Sequence, residues 1–330
     1  MFTKVLVPLD GTEVSTGILP YISLLARGLK MEMVLLSVVN PAMVEELEEF
    51  GTKAPMREAL SGVSLKTPKT AGERTPKRRA EGPFFSQELE NAEFRVKGWL
   101  TGISDGMRQS GLQVEYVTKI GQAANTILAT ARELGCDVIA MSTHGRNAIG
   151  RGMLGSVADK VIRSSTVPVL AISPERAAKY GTPGRPMTTL LAPLDGGPLS
   201  EKTLPYIITL GKQLRVKVHV VRVVDTTVPI TGWWADPRFF EVVQEIRNEA
   251  QGYVQEIADR LRTQGLQAEA NVLNGNPAGM LVDMARNTPQ DLIVIATRGR
   301  TGLSRFILGS VTEALVRSSG DPVLIIPTGD

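Results

Sequence analysis

The chain is poor in cysteine and histidine: its 330 residues include one cysteine, Cys136, and two histidines, His144 and His219. A single cysteine excludes an internal disulfide framework, so the simplest setting is a reducing cytoplasm. So few thiols and imidazoles also argue against a His/Cys metal cluster. The metal chemistry that stays open is a Mg²⁺ ion held by carboxylate and phosphate. Cys136 and His219 are interpreted as structural residues.

Long hydrophobic runs are absent as well. No apolar stretch approaches the roughly 18–20 residues that a membrane-spanning helix needs, so no membrane contact is expected. The opening sequence, MFTKVLVPLD, has neither the apolar core nor the cleavage site of a signal peptide. Hydrophobic residues still make up 42% of the chain. A chain of this length predicts two globular domains, because a domain usually takes roughly 100–200 residues.

The two halves of the chain repeat each other. Gly145 and Gly155 recur as Gly299 and Gly309, 154 residues later, whereas Asp10 recurs 185 residues later as Asp195. The difference between the two offsets places 31 extra residues in the first copy, which we assign to about 51–81. The repeat predicts a first domain over 1–175, a linker over 176–187 and a second domain over 188–330.

The insertion at 51–81 carries eight lysines and arginines against three glutamates, a net charge of +5. Because the whole chain carries only +3, the excess positive charge belongs to this segment. Its composition is typical of a solvated loop. The alternative is a basic arm that meets phosphate, nucleic acid or a partner. Nucleic acid is disfavoured, since the segment has no interleaved aromatic residues and no nucleic-acid motif.

Each copy alternates short Val/Ile/Leu-rich strands with amphipathic helices, which favours a doubly wound α/β domain with a parallel sheet covered on both faces. In the first copy the strands are expected at 4–8, 34–39, 114–118, 138–141 and 167–172, and the helices at 15–28, 86–110, 123–134 and 157–164. In the second copy the strands are expected near 189–193, 217–223, 268–273, 292–296 and 322–326.

The residues with ligand-binding potential follow two of these strands. Asp10 comes after the first strand, and a glycine-rich stretch begins at Ser142 after the fourth. Ligands of doubly wound sheets bind at the carboxyl ends of the strands, where the strand order reverses. Glycines allow backbone N–H groups to converge on an anion, and we expect Ser156 to cap a helix whose N-terminus favours phosphate. The alternatives are a structural turn for the glycines and helix capping for Asp10 and Asp195.

This pattern resembles the tandem form of the universal stress protein family. ATP-binding members of that family carry Gly, two residues, Gly, nine residues and then Gly-Ser or Gly-Thr. The first copy matches at Gly145 and at Gly155-Ser156, and the second matches at Gly299 and at Gly309-Ser310. The first glycine of the motif is replaced by Ser142 in one copy and by Ala296 in the other.

The resemblance implies a flavodoxin-like or adenine nucleotide alpha hydrolase-like fold, with strand order 3-2-1-4-5 in each of two tandem doubly wound domains. It also implies that the strand-end aspartates contact adenosine and that a valine at the end of the second strand lies near adenine. The nucleotide-binding residues so implied are Pro8, Asp10, Val38, Met141, Ser142, His144, Gly145, Arg146, Gly155, Ser156 and Val157 in the first half, and Pro193, Asp195, Val223, Ile295, Ala296, Arg298, Gly299, Arg300, Gly309, Ser310 and Val311 in the second.

The function implied by the resemblance is a stress-response regulatory module that binds ATP or a related adenine nucleotide in one or both domains, with Mg²⁺ as a candidate companion ion. Little or no hydrolysis is expected, because the sequence shows no general base or nucleophile constellation. The alternatives are a nucleotide-independent interaction module and a slow ATPase. Family members dimerise through the last strand. The resemblance therefore implies an intramolecular pseudo-dimer of the two halves, and a homodimer is a further option.

Overall fold

The structure is a computed structural model, which describes residues 2–41, 83–143, 154–178, 187–226, 238–288, 291–297 and 308–328. The predictions made for the insertion at 51–81, for His144 to Arg146 and for Arg298 to Arg300 lie outside the described residues.

The first half alternates strands and helices in the order that the sequence predicts. Its elements are β1 (Lys4–Pro8), α1 (Glu13–Thr16), α2 (Leu19–Leu29), β2 (Glu32–Val39), α3 (Pro83–Gln109), β3 (Val114–Ile120), α4 (Ala123–Glu133), β4 (Val138–Ser142), α5 (Ser156–Ser164), β5 (Val169–Ile172) and α6 (Pro174–Ala177).

The second half repeats this order. Its elements are β6 (Thr189–Pro193), α7 (Pro198–Glu201), α8 (Leu204–Leu214), β7 (Lys217–Val224), α9 (Arg238–Thr263), β8 (Ala268–Asn274), α10 (Pro277–Asn287), β9 (Leu292–Ala296), α11 (Ser310–Ser318) and β10 (Val323–Ile326).

All ten strands lie in one sheet, in the order β3-β2-β1-β4-β5-β10-β9-β6-β7-β8. Within each half every pairing is parallel, and the order is the predicted 3-2-1-4-5. The two halves meet at β5 and β10, which pair antiparallel with Leu170 opposite Leu324. The predicted fold class is therefore confirmed.

The sheet is covered by helices on both faces, and this explains why its strands are apolar almost throughout. All five residues of β4 are buried, and so are all five of β9. One core cluster joins the sheet to α2, α3, α8 and α9, and the other joins it to α4, α5, α10 and α11. The helices that follow β1 and β4, which are α2 and α5, therefore cover opposite faces of the sheet.

Several boundaries differ from the predicted ones. The helix expected at 15–28 is two helices, because Gly17 ends α1 and Pro20 occupies the first turn of α2, where its missing N–H costs no hydrogen bond. The last strand of the first half begins at Val169, two residues later than predicted. The predicted linker begins inside α6, whose Ala177 is fully buried.

Candidate functional site

The strand order reverses between β1 and β4 in the first half and between β6 and β9 in the second. Leu6 pairs with Ile139, and Leu191 pairs with Ile293, so the carboxyl ends of each pair of strands lie side by side. The helices that follow these strands cover opposite faces of the sheet, and it is at such a switch point that doubly wound folds form a crevice. The strand-end aspartates and the starts of α5 and α11 belong to these two edges.

In the first half, Asp10 organises the loop that follows β1. Its Oδ1 atom accepts hydrogen bonds from the backbone N–H of Thr12 at 3.1 Å and from the Thr12 hydroxyl at 2.6 Å. The loop turns at Gly11, whose φ of +85° is a conformation that glycine adopts without strain. The N-cap of α1 is Thr12, whose Oγ1 accepts from Ser15 N. Asp10 thus holds the capping residue and is not the cap itself.

In the second half, Asp195 plays the corresponding part with different partners. Its Oδ1 atom accepts from the backbone N–H of Gly197 at 2.8 Å and from the Ser200 hydroxyl at 2.6 Å. Gly196 turns the loop with a φ of +81°. Both halves therefore fix an aspartate at the same strand end through a network of short hydrogen bonds.

Backbone hydrogen bonds join the described residues on either side of the glycine-rich stretch in each half. Gly155 N donates to Thr143 O at 2.9 Å, and Gly309 N donates to Thr297 O at 2.8 Å. The same two threonines donate from their backbone N–H to Ile172 O and Ile326 O, which ties the loop bases to β5 and β10. The described residues that flank 144–153 and 298–307 are thus hydrogen-bonded to each other and to the sheet in both halves.

The expectation that Ser156 caps α5 is wrong. The N-cap is Gly155, which has no side chain to offer, and Ser156 is the first helical residue. The second half is the same, with Gly309 as the N-cap and Ser310 as the first residue of α11. The first N–H groups of these helices are therefore left without a side-chain cap. Ser156 and Ser310 are both exposed.

The remaining described site residues lie where the strands end. Val38 and Val223 are half-buried and pack against the cluster under α4, α5, α10 and α11. Ser142 and Ala296, which replace the first glycine of the motif, are 7% and 3% exposed. The other described members of the predicted set are placed at the same strand ends and helix starts: Pro8, Met141, Val157, Pro193, Ile295 and Val311.

Arg222 also belongs to this region and was not among the predicted site residues. It lies in β7 with only 8% of its side chain exposed, and the equivalent residue of the first half is the buried Ser37. Its guanidinium contacts Gly196, since a Cβ on that glycine would lie 3.1 Å from Arg222 Cζ. An arginine inside the otherwise apolar stretch VVRVV was the available signal, because a buried charge needs a specific environment.

The Arg222 guanidinium is held by α9. It lies 5.4 Å from the centre of the Tyr253 ring and 3.5 Å from Glu249 Oε1. The Tyr253 hydroxyl in turn donates to Glu201 of α7 at 3.1 Å. The loop that carries Asp195 is thus supported by an arginine and a tyrosine. The two candidate sites differ here, because Ser37 stands in the first half where the second has Arg222.

Cys136 is buried in the core, and His219 lies in β7 with 16% of its side chain exposed. Burial raises the pKa of the Cys136 thiol to about 11, so it stays protonated and packs in the core near Lys4. Burial lowers the pKa of His219, and the nearby Glu269 opposes that shift.

Two further properties concern the described residues only. None of their helices is long and apolar enough to cross a membrane. They also contain no group of three or more His, Cys, Asp or Glu side chains arranged to hold a metal ion.

Comparison with known proteins agrees with this architecture. A model of the Universal stress protein family matches the chain twice, over residues 1–173 and 187–327. Universal stress protein YxiE of Bacillus subtilis is 31% identical over 143 residues, which cover 42% of this chain and 97% of that protein. Universal stress protein MJ0531 of Methanocaldococcus jannaschii is 29% identical over 137 residues, 42% of this chain and 80% of that protein.

A solved structure shares the fold over the full length. A universal stress protein from Archaeoglobus fulgidus superimposes with a TM-score of 0.66 at 16% identity, and all of each chain is covered. The fold defines a tandem doubly wound α/β protein with one switch point in each half. With both halves matched by the family model, the chain belongs to the universal stress protein family.

Proposed function

We propose that the chain is a stress-response regulatory module that binds ATP or another adenine nucleotide in each half. One observation carries the proposal: both halves place an ordered aspartate and a helix start without a side-chain cap on neighbouring strand ends. An uncapped helix N-terminus attracts phosphate through its N–H groups and its dipole. A carboxylate beside it is suited to a ribose hydroxyl or to the base.

The chemistry of the site is that of binding. Any Mg²⁺ would arrive with the phosphates, because the described residues offer no group of three metal-binding side chains. The described part of the crevice also holds no histidine or cysteine that could act as a base or nucleophile. Hydrolysis, if measured, is therefore expected to be slow. One solved member of the family is a complex with cAMP, itself an adenine nucleotide.

The test is isothermal titration of the purified, nucleotide-stripped chain with ATP. The proposal expects two binding events per chain. Ser156→Glu places a carboxylate at the exposed first residue of α5 and should weaken the first site at least tenfold, by about 1.4 kcal/mol or more. Ser310→Glu should do the same to the second site.

Ser164→Glu is the matched control, since it adds the same charge at the exposed last residue of α5. It should leave ATP affinity unchanged. Absence of heat up to millimolar ATP in the unaltered chain would refute the proposal. An interacting protein that is captured equally well with and without ATP would favour a nucleotide-independent module.

A further inference from the structure

A chain of ion pairs crosses the boundary between the two halves. Arg163, in the last turn of α5, donates from Nε to both carboxylate oxygens of Asp159 at 2.9 Å. Its Nη2 atom also lies 3.9 Å from Glu313 Oε2 of α11. Glu313 accepts from its own neighbour, Arg317, at 2.9 Å. An arginine of the first half thus contacts a carboxylate of each half.

The two carboxylates occupy equivalent places. Asp159 lies three residues after Ser156, and Glu313 lies three residues after Ser310, so each is in the first turn of its helix. The two arginines are equivalent as well, each in the last turn. The acidic groups therefore stand at the helix ends where the proposed nucleotide phosphates would bind.

A carboxylate in the first turn opposes a bound phosphate in two ways. It repels the phosphate directly. It also interacts with the positive end of the helix dipole, which is then less able to attract the phosphate. An arginine paired with the carboxylate cancels much of this effect. The four side chains are only 25% to 35% exposed, so their interactions are screened less than those of free surface charges.

The two arginines differ in reach. Arg163 is within 4 Å of both first-turn carboxylates, whereas Arg317 pairs with Glu313 of its own helix. The Nε of Arg317 is buried and has no hydrogen-bond partner among the described residues. An arginine of the first half therefore helps to neutralise a carboxylate of the second half, and the reverse contact is not made among the described residues.

We propose that Arg163 is a positioning residue for both anion sites: it shields Asp159 and Glu313 and thereby couples the second site to the first half. The inference rests on the proposed nucleotide binding and adds a regulatory link between the two sites. Arg163 itself does not touch the ligand, so it acts only through the two carboxylates.

The test measures ATP affinity in each half separately by isothermal titration of the full chain. Asp10→Ala weakens the first site, so that the ATP affinity of the second can be measured. Asp195→Ala weakens the second site, so that the first can be measured. Both aspartates lie away from the ion pairs. Arg163→Met should weaken ATP binding in both backgrounds by about two- to fivefold, the range expected for a charge near a helix end. Arg317→Met, the matched control, should weaken only the second site.

Rescue separates charge from structure. Adding Glu313→Gln to Arg163→Met removes the unshielded carboxylate and should restore the second site without restoring the first. The loss caused by Arg163→Met should also shrink in high salt, because screening weakens the repulsion. A mere packing defect would show neither behaviour.

Two results would overturn the inference. If Arg163→Met weakens only the first site, or if both sites keep their affinity, Arg163 does not couple them, while nucleotide binding itself stands. If the unaltered chain binds no ATP, the proposed function fails and the inference fails with it. The titration of the unaltered chain distinguishes these cases.

Discussion

His219 shows how a single side chain can work against the stability of the fold. It lies in β7, and its Nε2 atom is buried without a hydrogen-bond partner among the described residues. Its Nδ1 atom lies 3.8 Å from Glu269 Oε2, too far for a hydrogen bond. The equivalent residue of the first half is the buried Val34, which packs in the core. The strand therefore does not need a polar group at this position.

Replacing His219 by valine should stabilise the protein, more so in acid. Because burial lowers its pKa from 6.5, the unfolded chain binds a proton more readily than the folded one. Stability is therefore lost as the pH falls below about 6.5. His219→Val should remove this loss and add about 1 kcal/mol at neutral pH by deleting the unsatisfied nitrogen. Urea unfolding at pH 7.5 and 5.5 measures both effects.

His144→Gln is the control for that measurement, since His144 is the only other histidine of the chain. It should retain the acid-dependent loss. An unchanged pH dependence in His219→Val would contradict the assignment of the loss to His219.

Individual residues of the candidate sites could be predicted from the sequence to different degrees. The glycines and aspartates were visible because they recur at constant spacing in both halves. The capping role of Ser156 was wrong, because the sequence does not show that the preceding Gly155 already has the extended N-cap conformation. Arg222 was missed because it has no counterpart in the first half, where Ser37 stands.

At the level of elements, α2 and α8 end in the same unusual way. The residues that follow them, Lys30 and Arg215, adopt the left-handed conformation with φ of 57° and 54°. This position usually holds glycine, because a side chain there is strained. The predicted helix at 15–28 instead ended at Gly28. The structure uses Gly28 for packing: a Cβ on it would lie 2.6 Å from Leu214 Cδ2.

Glycine at the left-handed position should stabilise the helix end. Lys30→Gly is expected to raise the free energy of unfolding by about 1 kcal/mol relative to Lys30→Ala, because alanine keeps the strain that glycine removes. Arg215→Gly against Arg215→Ala repeats the comparison in the second half. Chemical denaturation measures the difference. Equal stability of the glycine and alanine variants would show that the cap is not strained.

At the scale of the whole molecule, the repeat predicted each half but not how the halves interlock. Buried strands carry a continuous apolar signal, so their number and order could be predicted from the chain and the family resemblance. The contacts across the boundary arise only when β5 and β10 pair antiparallel and bring α2 to α8 and Arg163 to Glu313. Such contacts join residues far apart in the chain, and no local pattern encodes them.

This interlocking predicts that the two halves unfold together. The hydroxyl of Tyr21, in the first half, donates to the backbone oxygen of Asp291, in the second, at 2.7 Å, and the bond is buried. Tyr21→Phe should therefore cost about 1 kcal/mol and lower the midpoint of one shared transition in scanning calorimetry. The matched control is Tyr206→Phe, because Tyr206 is the equivalent residue of α8. Its ring packs edge-on against Phe2, with the ring centres 5.8 Å apart. Tyr206→Phe should change the midpoint less. Two separate transitions, with only one shifted by Tyr21→Phe, would show that the halves are independent despite the shared sheet.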